Sequence, residues 1–501
     1  MKNSISTFLI ILLLILSACT PSEKKLQNTD KAYSTPEAGG ISSSAILDFV
    51  EALEREQKDA IHSIMLRRHG KIVTEAWWAP YNPDSPHMLY SLSKSFTSTA
   101  IGIAQDEGLL SIDDPVISFF PYETPDNLSD NLKAMRIRDL LKMNSGHQSG
   151  TSSGMREGKT WVEGFLALEV QHKPGTHFVY NSGATYMLSA IVQKVTGVTL
   201  LDYLKPRLFE PLGIENPTWE SDPDGINAGG WGLSVKTEGI SKLGQLYLQK
   251  GNWKGKQLVS EDWVEEATSF QTSNGSNPES DWEQGYGYQF WRCRHNFYRG
   301  DGAFGQFCIV MPDQDAVLAI TSGSSDMQAI LNIVWEHLLP AMEKNALPPD
   351  DEGLNRVQDL PKIPAISTVE GEESSPNASN ISGKTYFMEP NGLAIKSITF
   401  NFDTSPDVIT INSEETEQSF SVGYEAMEFG SMISSQLVSR EIAVSGAWDS
   451  SDKYHVKIIY FETPHEFEFT FQFKEDKLIW DTDMNVNFGP TSLEQLKGNA
   501  L

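Results

Sequence analysis

The hydrophobic periodicity of this chain changes once, across an acidic, proline-bearing stretch at 345–380, and that change calls for two differently built bodies. Beyond it, Phe467-Glu468-Phe469-Thr470-Phe471-Gln472-Phe473 alternates with period two, as one buried face of a sheet requires. Weaker copies at 395–402, 408–411 and 456–461 extend the pattern to an all-β domain of barrel or sandwich type at 381–501. Before it, strand-like runs at 62–78, 286–292, 304–311 and 316–321 enclose helical spacing at 91–110, 136–143, 182–196, 237–249 and 260–268, and a further helical run follows at 327–338. Strands at both ends with helices between them predict one α/β (α+β) domain at 43–345, the first hairpin joining the late strands in a single antiparallel sheet. Residues 346–380 read as a linker, so a chain cut at 380 is expected to leave a soluble N-terminal body.

The first segment reads as an address. A lysine at position 2 precedes the continuous apolar run 8–16, which has the length of a signal-peptide core and is too short to span a bilayer. Leu16-Ser17-Ala18-Cys19 follows at once and resembles the lipobox of bacterial lipoproteins. We therefore expect a signal peptide at 1–18, lipidation at Cys19 and a flexible polar tether at 19–42, which places the protein on the cell envelope outside the cytoplasm. Cys19, Cys293 and Cys308 are the only cysteines, too few for a disulfide framework. With 67 acidic against 39 basic residues the formal charge is −28, which argues against sequence-independent binding of nucleic acid. The sequence contains no His-Glu-x-x-His, no Cys/His pairing at metal-ligand spacing and no glycine-rich phosphate loop, so no metal or nucleotide cofactor is implied.

Three short segments carry chemistry. In Ser91-Leu92-Ser93-Lys94, a helix would put the lysine amine beside the Ser91 hydroxyl, one turn away. A serine hydroxyl is a weak nucleophile until a base takes its proton, and a lysine serves only if its pKa is lowered. The spacing alone is common, recurring at Ser22–Lys25 and Ser450–Lys453; at Ser91 an extended segment precedes it and an apolar helix follows. The second segment, Pro174-Gly175, leads through an aromatic run to Tyr180-Asn181-Ser182 ahead of a helix. The third, Gly300-Asp301-Gly302-Ala303, opens a strand whose glycines let backbone approach a ligand closely. His147 lies in a Gly/Ser-rich stretch at 144–154 that reads either as a mobile rim over the cleft or as plain connection, and Cys308 reads as a buried thiol.

Taken together, these segments resemble the serine β-lactamase and penicillin-binding protein superfamily, on the branch of class C β-lactamases, D-alanyl-D-alanine carboxypeptidases and related esterases, and most of all the 6-aminohexanoate-dimer hydrolase type. Leu140-Leu141-Lys142-Met143-Asn144-Ser145-Gly146 and Gly229-Gly230-Trp231-Gly232-Leu233 also look like recurring segments of that branch. The resemblance covers roughly 45–340 and implies a β-lactamase-like α/β/α sandwich with a central antiparallel sheet and a helical subdomain. It implies Ser91 as acylated nucleophile, Lys94 as its proton-handling partner, Tyr180 as second acid/base group and Ser182 as a hydrogen-bonding partner. It further implies the backbone N–H groups of Ser91 and Ala303 as oxyanion hole, and Asp301 and Gly302 as substrate-binding positions.

One departure stands out: Lys-Thr-Gly, the triplet that supplies a carboxylate-recognising cation in β-lactamases and carboxypeptidases, is absent, and Gly300-Asp301-Gly302 occupies its place. A small neutral or cationic ester or amide is the expected substrate. A β-lactamase or carboxypeptidase activity, and a catalytically weak acylated sensor, are the alternatives.

Overall fold

The computed structural model describes residues 32–360, 365–433 and 438–500; the expected signal peptide at 1–18 and lipid site at Cys19 lie outside them. Strand Ile61–Arg68 turns at His69-Gly70, both in the left-handed region, into Lys71–Trp77. This hairpin pairs with Ala316–Ser322, Leu66 opposite Leu318. The sheet continues through Gln306–Met311, Tyr298–Gly302 and Trp291–Arg292, antiparallel throughout.

Both faces of this sheet are covered. On one, helices Ser43–Gln57 and Met327–Ile333 bury Ile46, Phe49, Leu53 and Ile330 against Leu318 and Ile320. On the other lies helix Thr237–Leu248, close enough that a Cβ on Gly244 would come within 2.5 Å of Val317 Cγ1. Behind it, helices Ser93–Asp106 and Ser182–Thr196 form a helical layer whose core includes Phe96, Ala100, Leu188 and Ile191. This is the layered α/β architecture with a central antiparallel sheet.

The aromatic run 286–290 is not strand. Gln289 has φ +65, and Gly287 N–H bonds Phe290 O across a tight loop, so only Trp291–Arg292 joins the sheet. The alternating apolar character reflects burial on two sides of a turn rather than pleat.

The second body is one ten-stranded antiparallel sheet, from Thr385–Met388 to Leu496–Ala500, curled into a near-closed barrel. In strand Glu466–Lys474, Phe469, Phe471 and Phe473 point inward, as the period-two pattern requires. The two end strands, Glu417–Val422 and Glu428–Ile433, are bridged by a side chain: the Gln418 amide accepts from Ile433 N–H at 2.5 Å and donates to Ile433 O at 3.1 Å. That amide satisfies backbone groups an open edge would expose.

Three expectations about separateness are corrected. The tether expected to reach residue 42 is packed from Tyr33 onward: Ser34 N–H bonds Ile72 O, and Ile41 is fully buried. The stretch 346–380 is not a bare linker, because helix Asp351–Asp359 packs Val357 into the core and Ile366 is buried beside it. Nor is the barrel independent. Its Ala443, Ile459 and Phe461 belong to the same buried cluster as Ile61 and Trp78, and Met88 N–H and Tyr81 Oη donate to the carbonyls of Glu462 and Thr463. Apolar burial outranked the polar composition of these segments.

Candidate active site

Ser91 sits in a single 3₁₀ turn, Tyr90–Leu92, that runs directly into helix Ser93–Asp106. The turn begins with Tyr90 at φ +46, an uncommon conformation for a non-glycine residue and one that concentrates at functional sites. Ser93 Oγ donates to Tyr90 O and accepts from Leu233 N–H, fixing the turn against the adjoining strand.

Lys94, one helical turn on, is 1% exposed. Its Nζ lies 2.9 Å from Ser91 Oγ, 2.8 Å from Ser182 Oγ and 2.6 Å from Gly230 O. The Tyr180 ring faces the same amine, 4.9 Å from its centroid. Burial pulls the Lys94 amine down from its ordinary value to about 7, although nearby Asp301 pulls it back up. Burial and the same carboxylate push the Tyr180 phenol above its usual range, so it rests protonated. The cluster therefore holds an amine able to take a proton near neutral pH beside a phenol able to give one.

Asn181 seats the second segment. It is fully buried and caps helix Ser182–Thr196, its Oδ1 accepting from Gly183 N–H, Ala184 N–H and both N–H and O–H of Thr151. Gly230, in one of the recurring segments, is required by contact: a Cβ there would lie 2.7 Å from Ser182 O.

The glycines of the third segment also face tight contacts. A Cβ on Gly302 would lie 2.1 Å from Leu89 O, and one on Gly300 would lie 2.2 Å from Leu92 Cδ1. They let strand Tyr298–Gly302 press closely against the nucleophile turn. Ala303 does line the cavity with Ser91, as the proposed oxyanion pair must, and so does Asp301. The Asp301 carboxylate is paired with the Arg299 guanidinium at 2.9 Å, both buried, so it does not present a lone negative charge to the cleft. The pairing weakens the repulsion that an acidic residue at this place would exert on a substrate carboxylate; the missing lysine is not replaced by Arg299, which is held by its partner.

His147 is 3% exposed with its ring against Phe165 and Nδ1 bonded to Ser145 Oγ inside the fold, so it is not part of a rim, whereas Ser152 of the same stretch lines the cavity. Cys308 is buried, its thiol pushed up to about 12 and donating to Ile240 O.

Sequence reasoning missed the barrel's share in the site. His465 Nε2 lies 2.6 Å from Tyr90 Oη, and the Phe304 ring, next to Ala303 and itself at φ +66, packs on Phe488 at 4.9 Å and meets Tyr90 edge-on at 5.5 Å. The two positive-φ residues that flank the proposed oxyanion donors are thus both braced by barrel side chains. No sequence signal linked 465 or 488 to residue 90, because nothing local encodes that contact.

Residues 50–332, more than half the chain, match the Beta-lactamase family model. The 6-aminohexanoate-dimer hydrolase of Paenarthrobacter ureafaciens is 24% identical over 306 residues, covering 56% of this chain and 76% of that one. The lovastatin esterase of Penicillium rubens is 28% identical over 161 residues, 27% of this chain and 40% of that one. Among solved structures, a putative 6-aminohexanoate-dimer hydrolase from Bacillus anthracis shares the fold over 64% of this chain and 89% of its own, with TM-score 0.52 at 18% identity. The chain belongs to the beta-lactamase family and is a serine hydrolase of that superfamily.

Proposed function

We propose that this protein cleaves an ester or amide bond of a small substrate through an acyl-enzyme on Ser91. The Ser91 O–H proton passes to the Lys94 amine as Oγ forms a bond to the substrate carbonyl carbon. The carbonyl electrons move onto oxygen, where the N–H groups of Ser91 and Ala303 receive them. On collapse the bond to the leaving group breaks, and Tyr180 hands that group a proton and recovers one from the Lys94 ammonium. Water then repeats the sequence in reverse to release the acid and restore Ser91. Ser182 holds the amine at 2.8 Å and keeps it aimed. The observation that carries this reading is the position of Lys94, buried, with Ser91 and Ser182 both in hydrogen-bond reach.

Hydrolases of esters and amides among the relatives support the class of bond. The test is mass spectrometry of the intact protein with a fluorophosphonate and with a panel of esters, amides and β-lactams. A Ser91 adduct with turnover of esters or amides, lost in Ser91→Ala, is expected. Absence of any adduct overturns the nucleophile; an adduct without turnover points to an acylated sensor; turnover confined to β-lactams points to the carboxylate-reading alternative. The lipobox at 16–19 supports attachment to the cell envelope through Cys19, and Cys19→Ser should then move the protein from the membrane to the soluble fraction.

A further inference from the structure

The cavity that contains Ser91 does not end in the N-terminal body. It runs on into the mouth of the barrel, about 1530 Å³ in all, with Ser91, Tyr180 and Ser182 at one end and Phe469, Trp480 and Ile411 at the other. That volume exceeds the roughly 300–1,000 Å³ of an ordinary small-ligand site.

The barrel interior is filled on one side only. Away from the mouth, Phe400 packs on Phe471 and Phe473 at 4.9 and 5.1 Å, and Trp448 meets Phe473 at 5.8 Å, forming an aromatic floor. Toward Ser91 the inward positions Phe467 and Phe469 of one strand, and Trp480, Thr482 and Met484 of its neighbour, line open space instead. Residues 480–484 span roughly 13 Å of strand, which sets the depth of the chamber above the floor. Its walls are mainly aliphatic and aromatic, with Thr482 among them. Apart from Asp301, paired with Arg299, the charged groups of the lining are Arg156, Glu220 and Arg440 near Tyr90, with Glu414 and Glu415 on a barrel loop. A site that is apolar at one end, charged along part of its lining and reactive at the other matches an amphipathic molecule lying along it.

We propose that the substrate is an ester or amide bearing an elongated, uncharged apolar chain, which enters the barrel while its carbonyl reaches Ser91. This rests on the reading of Ser91 as nucleophile and adds to it the class of substrate. Burying each further methylene against the chamber wall stabilises the bound state, whereas an anionic tail would meet the acidic loop.

Two measurements on the full-length protein test it. The first is kcat/KM across 4-nitrophenyl esters from butanoate to decanoate, and across butanoate esters of alcohols from ethanol to decanol; the two series report whether the chain sits on the acyl or the leaving side. A rise of about tenfold or more along one series is expected, and Met484→Trp, which fills the half-buried mouth, should erase that rise. The second is calorimetric binding of neutral N-dodecylacetamide and N-butylacetamide to Ser91→Ala, where the longer amide should bind about tenfold or more tightly. Flat series with Ser91-dependent turnover overturn the chamber and leave the nucleophile standing. Chain-dependent binding without Ser91-dependent turnover supports the chamber and overturns the catalytic reading. Equal binding of the two amides overturns the chamber by itself.

Discussion

The Tyr90 hydroxyl lies 2.6 Å from His465 Nε2, so the residue immediately before the proposed nucleophile is held by a side chain from the barrel. Burial lowers the His465 pKa, leaving a neutral imidazole whose Nδ1 is anchored to Val486 O. A non-glycine residue at φ +46 costs about 1–3 kcal/mol and persists only where its surroundings hold it. His465→Ala should therefore lower kcat about tenfold, the effect of losing one hydrogen bond of about 1.4 kcal/mol. KM for a short ester should change little, and His465→Gln should restore part of the rate. A loss confined to KM, or no rescue by glutamine, would show the contact to be merely structural.

Lys94 sets the acid limb of the pH profile. Its amine is held at about 7 and must be neutral to take the Ser91 proton. Activity should thus be half-maximal near pH 7, approach its full value about one unit above, and fall about tenfold per unit well below it. Asp301 raises the Lys94 value, so Asp301→Asn should move this limb to lower pH. The same change leaves the fully buried Arg299 without its carboxylate and should destabilise the fold by on the order of 3 kcal/mol. Stopped-flow or steady-state rates from pH 5 to pH 9, with denaturant titration, measure both.

Tyr180→Phe removes the proton donor without changing the ring that faces Lys94. The rate on an unactivated amide should drop about 10²–10⁴-fold. An activated aryl ester, whose leaving group departs without a proton, should suffer far less. Equal losses on both substrates would deny Tyr180 the proton-transfer role.

Deleting residues 380–501 uncovers the buried surface shared with Ala443, Ile459 and Phe461 and removes the partners of Met88 N–H and Tyr81 Oη. The truncated chain should aggregate or melt well below the full chain, by light scattering and calorimetry. A soluble fragment with unchanged melting temperature would restore the view that the two bodies are separable.

Glu466 is buried where the bodies meet, and desolvation raises its carboxyl to about 7. The folded state then holds this proton more tightly than the unfolded chain does. Stability from this group is present below about pH 4.5 and is lost as pH rises through 7. His62 and His87 act in the opposite sense. His62 Nδ1 lies 3.0 Å from His87 Nε2, both rings are buried, and burial lowers both, His87 to about 4. They remove stability as pH falls from 6.5 toward 4. Glu466→Gln should raise the melting temperature at pH 8 and make little difference at pH 4; equal effects at both would exclude ionisation as the cause.

Much of the fold follows from local pattern. The 3.6-residue recurrence at 182–196 and 237–249 coincides with helices Ser182–Thr196 and Thr237–Leu248, and the alternation at 467–473 lies within strand Glu466–Lys474. Periodicity of this kind is a property of a single element, and a single element shows it. The turn at Gln289 escaped, because a run of buried aromatics looks alike whether the backbone is pleated or folded back. The packed segment 351–366 escaped for a related reason: its acidic and proline content masks the few side chains, Val357, Leu360 and Ile366, that dock it.

The sequence by itself determined that Lys94 stands one helical turn from Ser91, that Tyr180 and Ser182 precede a helix, and that a β-rich body follows. Each of these is encoded within a few residues, where helical rise and strand alternation fix the geometry. Only the tertiary structure decided that Ser182 and Gly230 grip the same amine, that Arg299 neutralises Asp301, and that the barrel opens onto Ser91 and braces Tyr90. Apart from the Arg299–Asp301 pair, which shares one strand, these contacts join residues far apart in the chain. They exist because apolar surface is buried, within the first body for the Lys94 contacts and between the two bodies for the brace on Tyr90, and burial, being non-directional, leaves no local mark on the residues it brings together.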